Sequence, residues 1–264
     1  MTALSYTDSG NPRLLTALFL HGFMGSARDW KDVTAALESD FRCLAVDLPG
    51  HGGSLGLPYP DSYTIEGAAQ ELTRLLDSLG VTRPAVVGYS MGGRLALYLA
   101  LHHPERCAAL LLESVSPGIE DEEERRSRRA ADEVRAKRLE TENFEAFLED
   151  WYRQPLFATL ARRKELLRQT IESKLSNDPR ELAQSLRAMG AGSQPSLWED
   201  LPKLRVPTLT VVGELDEKYV GVSQRMASLN CRIQDAVIPG AGHNAHAEAP
   251  KAYLGLLRSF LKSI

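Results

Sequence analysis

The chain has 264 residues, 43% hydrophobic and 25% charged, and a formal net charge of -4. That length and apolar content suffice for one sizeable core. The small acidic excess, with no long basic tract, excludes a nucleic-acid surface, and no apolar run reaches the length of a membrane span. The opening stretch MTALSYTDSG has neither the basic nor the apolar region of a secretory leader. Cys43, Cys107 and Cys231 lie far apart, within apolar segments and without metal-type spacing, and read as reduced structural thiols. A cytoplasmic protein is expected, a monomer or weak homo-oligomer, with a small molecule as its partner and no nucleic acid or membrane.

In chain order, short apolar runs bounded by Gly, Pro or polar residues predict buried strands at 14–20 (LLTALFL), 41–47 (FRCLAVD), 84–89 (PAVVGY), 107–114 (CAALLLES), 206–214 (VPTLTVVGE) and 232–239 (RIQDAVIP). Apolar residues at helical spacing predict helices at 65–80, 91–104 and 249–264. Strand alternating with helix implies a doubly wound, mostly parallel α/β sheet. No internal repeat is present.

The alternation stops between residues 117 and 200. IEDEEERRSRRAADEVRAKRLE reads as a solvated helix, with Glu122–Arg126 and Glu124–Arg128 at i,i+4 spacing. FEAFLEDWYRQPLF then brings Phe144, Phe147, Trp151, Tyr152 and Phe157, more aromatic surface than an exposed helix carries. The simplest arrangement is a core of 1–116 and 201–264 with a helical cap of 117–200 over the carboxyl ends of the strands, where open α/β sheets bind ligands.

GYSMGGR, residues 88–94, follows a predicted strand and opens a predicted helix. G-x-S-x-G in that context is a nucleophile elbow, in which the glycines leave room for a sharp turn that lifts the Ser90 hydroxyl clear of the sheet. A serine needs a histidine to take its proton. Of six histidines, His102 and His103 suit a helix C-terminus, and His51 lies in the Gly-rich loop DLPGHGGS. His21 opens HGFMG, where the useful atoms are backbone: the N–H groups of Phe23 and Met91 would form an oxyanion hole. His243, in GAGHNAHAEAP after the last strand, fits the order serine, acid, histidine, with His246 as a rival in the same loop. The acid is Asp216 in VVGELDEKY, with Glu214 and Glu217 as neighbours and Glu113, at the end of an earlier strand, in reserve.

Arg94 stands in the first turns of an otherwise apolar helix, so its guanidinium is drawn beside the elbow, where an unpaired charge is costly. An internal carboxylate, Glu113 or Asp47, could answer it, or a substrate carboxylate could, for which the planar fork is suited.

Through HGF, DLPGHGGS, GYSMGG, GELD and AGH, the sequence resembles the α/β-hydrolase superfamily along essentially its whole length. That resemblance implies the fold and leaves the activity open, since esterases, lipases, C–C hydrolases, dehalogenases and lyases share it. LHGFMGSARDW, GYSMGGR, SPG before an arginine-rich helix, WYRQPLF and AGHNAHAEAP together resemble the 2-succinyl-6-hydroxy-2,4-cyclohexadiene-1-carboxylate synthases, lyases of menaquinone or phylloquinone synthesis. The resemblance implies elimination of pyruvate from a polyanionic cyclohexene without a cofactor or metal. It further implies Ser90, Asp216 and His243 as a triad, and Tyr89, Arg94, Arg128, Trp151, Tyr152 and Lys218 around the substrate. The family has a further arginine late in the cap, before a Ser-Asn stretch; here ESKLSNDP supplies Lys174, which keeps the charge and loses the bidentate fork. A serine hydrolase of esters or C–C bonds would use the same triad, and a non-catalytic ligand receptor would not need it.

Overall fold

Strands β1 (Tyr6–Ser9), β2 (Thr16–Leu20), β3 (Arg42–Val46), β4 (Ala85–Tyr89), β5 (Ala109–Glu113), β6 (Thr208–Gly213) and β7 (Ile233–Ile238) form one sheet in the order β1-β3-β2-β4-β5-β6-β7, in a computed structural model that describes residues 4–264. Residues 1–3, at the start of the expected 1–116 segment, lie outside the described residues. Every pairing is parallel except β1 with β3. The six expected strands are all present. β1 is an addition: YTDS is polar and largely exposed, so an edge strand on this sheet carries no apolar signal to read.

Residues of β2 to β5 are buried except Tyr89, which is half-buried at the end of β4, and this is why they read as continuous apolar runs. Their side chains still alternate. Leu18, Leu20, Leu44, Val46, Val86, Leu110 and Leu112 enter one core, and Ala17, Phe19, Cys43, Ala45, Val87 and Leu111 enter the other.

The helices are α1 (Lys31–Leu37), α2 (Ile65–Ser78), α3 (Met91–His102), α4 (Glu122–Thr141), α5 (Phe144–Tyr152), α6 (Ala158–Ala161), α7 (Lys164–Lys174), α8 (Pro179–Met189), α9 (Glu217–Leu229), α10 (Ala245–Glu248) and α11 (Pro250–Lys262). The first core takes in α2, α3 and α9; the second takes in α1 and α11. α2 is capped by Thr64, whose hydroxyl accepts from the Gly67 N–H, and α4 by Asp121, whose carboxylate accepts from the Glu124 N–H.

Helices α4 to α8 lie between β5 and β6 and make a separate apolar cluster from Ala136, Leu139, Phe147, Leu148, Tyr152, Phe157, Leu160, Leu182, Ala183 and Leu186. From the sheet body only Met24 joins it as a buried member, with Phe23 packed alongside. Hydrogen bonds dock the inserted helices: Asn177 donates to the Met24 carbonyl and accepts from the Gly52 N–H.

The expected α4 ion pairs form with other partners. Glu122 pairs with Arg125 and Arg129, while Arg128 reaches a turn onward to buried Asp132, which also takes Arg135. A carboxylate removed from water draws the available guanidiniums more strongly than a solvated one does. Cys43 and Cys107 are buried, and burial raises both thiols to about 12; Cys231 is exposed, contrary to the expectation for all three, because it falls in the turn before β7.

Candidate active site

β2 and β4 are neighbours at the point where the chain, having laid β3 to one side of β2, returns to lay β4 on the other. Loops leaving the carboxyl ends of such strands diverge and leave a crevice. Ser90 occupies the end of β4 with φ 47° and ψ -108°, a conformation that L-residues rarely adopt outside constrained turns. The turn is fixed from two sides: the Ser90 N–H donates to the Glu113 carbonyl at 2.9 Å, and the Gly92 N–H to the His21 carbonyl at 3.0 Å. A side-chain carbon on Gly92 would lie 2.4 Å from the Leu20 carbonyl oxygen, and one on Gly88 would lie 2.5 Å from the Gly93 Cα. These contacts explain both glycines of the elbow.

His243 Nε2 stands 3.3 Å from the Ser90 hydroxyl, and its Nδ1–H donates to Asp216 Oδ2 at 2.7 Å. Because a carboxylate can only accept, this contact sets the tautomer and leaves Nε2 free to accept from serine. Both side chains are buried. The Tyr219 ring packs 4.7 Å from the imidazole, and Glu248 holds the loop on either side of it by accepting from the Gly242 and Asn244 N–H groups.

His246 and Glu113, the rival base and the reserve acid, are together elsewhere. Glu113, fully buried at the end of β5, accepts from the His246 N–H at 2.9 Å and from its Nδ1–H at 2.8 Å. The His246 ring stacks on Trp30 with centroids 4.5 Å apart, behind the loop that carries His243. Neither residue replaces a member of the Ser90–His243–Asp216 set.

A cavity opens over Ser90 between the sheet and the inserted helices. It is lined by Phe23, Met91, Tyr89, Arg94, Arg128, Trp151, Tyr152, Lys174, Lys218 and His243, so every residue singled out for substrate contact reaches one space. Neither the Phe23 nor the Met91 N–H donates to a backbone carbonyl among the described residues. Desolvation raises the Tyr89 and Tyr152 phenols, so both stay neutral donors.

The four cations differ in their partners. Of the two alternatives left open, the internal carboxylate does not occur: Arg94 is bound to neither Glu113 nor Asp47. Glu113 is engaged by His246, and Asp47 accepts from the N–H groups of Ala27 and Gly53. Arg94 donates to the Gln194 side-chain oxygen and, at 3.0 Å, to the Met189 carbonyl; both are neutral, and desolvation depresses the guanidinium to about 10. Arg128 Nε donates to both Asp132 oxygens at 2.9 Å, while Lys218 reaches over the Tyr219 ring. Lys174 is buried against both oxygens of Asp29 at 2.6 Å and holds that carboxyl below the usual range against its own desolvation.

Asp29, Tyr219, Glu248 and Gln194 escaped the sequence reading. Asp29 was legible in principle, since Ser26-x-x-Asp29 has capping-box spacing and the structure forms that box. Tyr219 and Gln194 act across long sequence separations, and Glu248 braces its own loop without a motif that marks it.

Residues 18–250 match the α/β hydrolase fold family. The 2-succinyl-6-hydroxy-2,4-cyclohexadiene-1-carboxylate synthase of Enterobacter sp. (strain 638) is 35% identical over 256 residues, 97% of this chain and 95% of that one. The synthase so named in Serratia proteamaculans (strain 568) is 35% identical over 263 residues, 99% of this chain and 98% of that one. The structure of MenH from S. aureus superposes with a TM-score of 0.93 at 33% identity, covering 100% of this chain and 99% of that chain. With its elbow, its histidine loop and a cavity flanked by cations, the chain belongs to the α/β-hydrolase fold family and, within it, to the 2-succinyl-6-hydroxy-2,4-cyclohexadiene-1-carboxylate synthases.

Proposed function

We propose that this protein eliminates pyruvate from 2-succinyl-5-enolpyruvyl-6-hydroxy-3-cyclohexene-1-carboxylate, giving 2-succinyl-6-hydroxy-2,4-cyclohexadiene-1-carboxylate, a step of menaquinone or phylloquinone synthesis. The observation that carries this reading is Arg94, a cavity-lining guanidinium one turn beyond Ser90 whose protein partners are all neutral. A buried cation without a counter-charge is costly, and a substrate carboxylate answers it with a matching fork.

The ring proton to be removed lies next to the succinyl ketone. Asp216 orients His243; His243 Nε2 takes the Ser90 proton as the serine oxygen takes the ring proton. The electron pair moves onto the ketone oxygen, where the Phe23 and Met91 N–H groups stabilise the oxyanion. Collapse of that enolate shifts the ring double bond and breaks the bond to the enolpyruvyl oxygen. The departing enolate is protonated at carbon to become pyruvate, with the imidazolium as the proton source. No acyl-enzyme is needed, so serine serves as a base.

Arg94, Arg128 and Lys218 bind the substrate's carboxylates, Lys174 is held at the cavity wall by Asp29, and Tyr89, Trp151 and Tyr152 bound the ring. Residues 117–200 serve as a cap that excludes water from the enolate. Among the described residues no helix is long and apolar enough to cross a membrane, and the three free thiols support the cytoplasm as the site of action.

A serine hydrolase would use the same constellation, and a thermophilic esterase from Thermogutta terrifontis shares the fold at a TM-score of 0.83 and 28% identity. Hydrolysis of an aryl ester does not separate the readings. Stoichiometric release of pyruvate from the enolpyruvyl substrate does: its presence, lost in Ser90→Ala, supports the lyase, and its absence with active ester turnover overturns it.

A further inference from the structure

Gln194 stands where a carboxylate would be the ordinary choice. It follows α8 in a tight turn in which Ser193 and Gln194 donate their N–H groups back to the Gly190 carbonyl. Its side chain is 1% exposed, and its amide oxygen accepts from Arg94 across 100 residues of sequence. The amide nitrogen is buried and makes no hydrogen bond; it packs over Gly118, 3.1 Å from where a side-chain carbon there would lie. Glutamate at this position would remove that orphaned donor and form an ion pair with the arginine. The amide is therefore the worse choice for stability and the only one of the two that leaves the guanidinium's charge whole.

The second partner follows the same logic. Arg94 donates to the carbonyl of Met189, the last residue of α8, where the helix dipole presents partial negative charge. Two neutral acceptors fix the plane and direction of the fork, and neither cancels it. The contrast lies across the same cavity, where Lys174 faces Asp29 at 2.6 Å and has its charge largely neutralised.

We infer that Gln194 is a positioning residue that aims Arg94 into the cavity while keeping it without a hydrogen-bonded carboxylate, so that the amide, rather than a carboxylate, at 194 sets affinity for the substrate's carboxylate. Gln194 is not itself among the cavity-lining residues and acts through Arg94. The inference rests on the reading that Arg94 binds a substrate carboxylate.

The test compares wild type, Gln194→Glu, Gln194→Leu and Arg94→Ala by steady-state pyruvate release, with the melting temperature of each. Gln194→Glu is expected to raise KM tenfold or more, with kcat within threefold and a melting temperature equal to or above wild type. Gln194→Leu keeps the charge and loses the aim, so its KM rises less than that of Gln194→Glu. A purely structural glutamine predicts the reverse order, with the ion-paired glutamate behaving as wild type and the leucine impaired. KM within threefold of wild type in Gln194→Glu overturns the inference. If Arg94→Ala raises KM while Gln194→Glu does not, only this inference falls; if neither raises it, the carboxylate reading falls too. Should Gln194→Glu fail to fold, KM in Gln194→Leu decides: a severalfold rise supports the positioning role, and a wild-type value overturns it.

Discussion

Two histidine–carboxylate pairs lie three residues apart in one loop, His243 with Asp216 at 2.7 Å and His246 with Glu113 at 2.8 Å, both buried. By pair chemistry alone they are interchangeable. The difference is the third group: the free imidazole nitrogen of His243 meets the Ser90 hydroxyl at 3.3 Å, whereas the His246 ring stacks on the Trp30 indole. A pair whose far nitrogen faces a hydroxyl and a cavity can move protons, and a pair enclosed by aromatic rings can only hold a loop in place. The same division runs through the cations, Arg94 against Lys174, and through the indoles, cavity-lining Trp151 against fully buried Trp30.

The strongest way to break the comparison is to remove each histidine. His243→Ala, and likewise Ser90→Ala and Asp216→Ala, should lose about a hundredfold or more in pyruvate release, with the serine and histidine losses overlapping in the double variant rather than multiplying. Wild-type turnover in His243→Ala would end the distinction.

Removing the acid of the rear pair tests the other half. Glu113→Ala leaves two buried donors, the His246 N–H and Nδ1–H, without an acceptor, at roughly 1–3 kcal/mol each. At about 2–4 °C per kcal/mol for a chain of this size, the melting temperature should fall by roughly 10 °C. Residual turnover of the folded fraction should exceed that of Asp216→Ala. A variant that melts like wild type and is inactive would move Glu113 into the proton relay.

Arg94→Ala sharpens the contrast among the cations. Among the described residues no carboxylate is hydrogen-bonded to Arg94, and Asp132 is already held by Arg128 and Arg135, so the variant should melt near wild type. It should lose roughly 2–5 kcal/mol of transition-state binding for the anionic substrate, and Arg94→Lys should recover only part of it. Parallel loss of melting temperature and turnover would make the arginine a piece of the scaffold.

The smallest signal belongs to the indoles. A product-like dicarboxylate should change the fluorescence of wild type and of Trp30→Phe, and that response should disappear in Trp151→Phe. Persistence of the full response in Trp151→Phe would remove Trp151 from the site.

How much of this could be read from residue order follows from the range of the interactions. Strands β2 to β6 are visible because burial on both faces leaves unbroken apolar runs, and the elbow is visible because the geometry of one turn demands Gly-x-Ser-x-Gly within five residues. Chain order after the elbow separates Asp216 and His243 from most of their rivals. β1 was not visible, since an exposed polar edge strand is held by a backbone ladder to β3 and carries no pattern. Nor could sequence choose between Glu113 and Asp47 as the answer to Arg94, because both are acidic residues at strand ends. The choice fell to neither: β5 turns Glu113 toward the His246 loop, the Gly-rich loop turns Asp47 toward the Ala27 and Gly53 amides, and the folding back of α8 brings a neutral amide and a helix C-terminus to the guanidinium instead. Local chemistry and periodicity determine the elements and the reactive side chains; which partner Arg94, Lys174 and Glu113 meet is decided by contacts between segments 100 to 145 residues apart, where composition carries no information and only packing does.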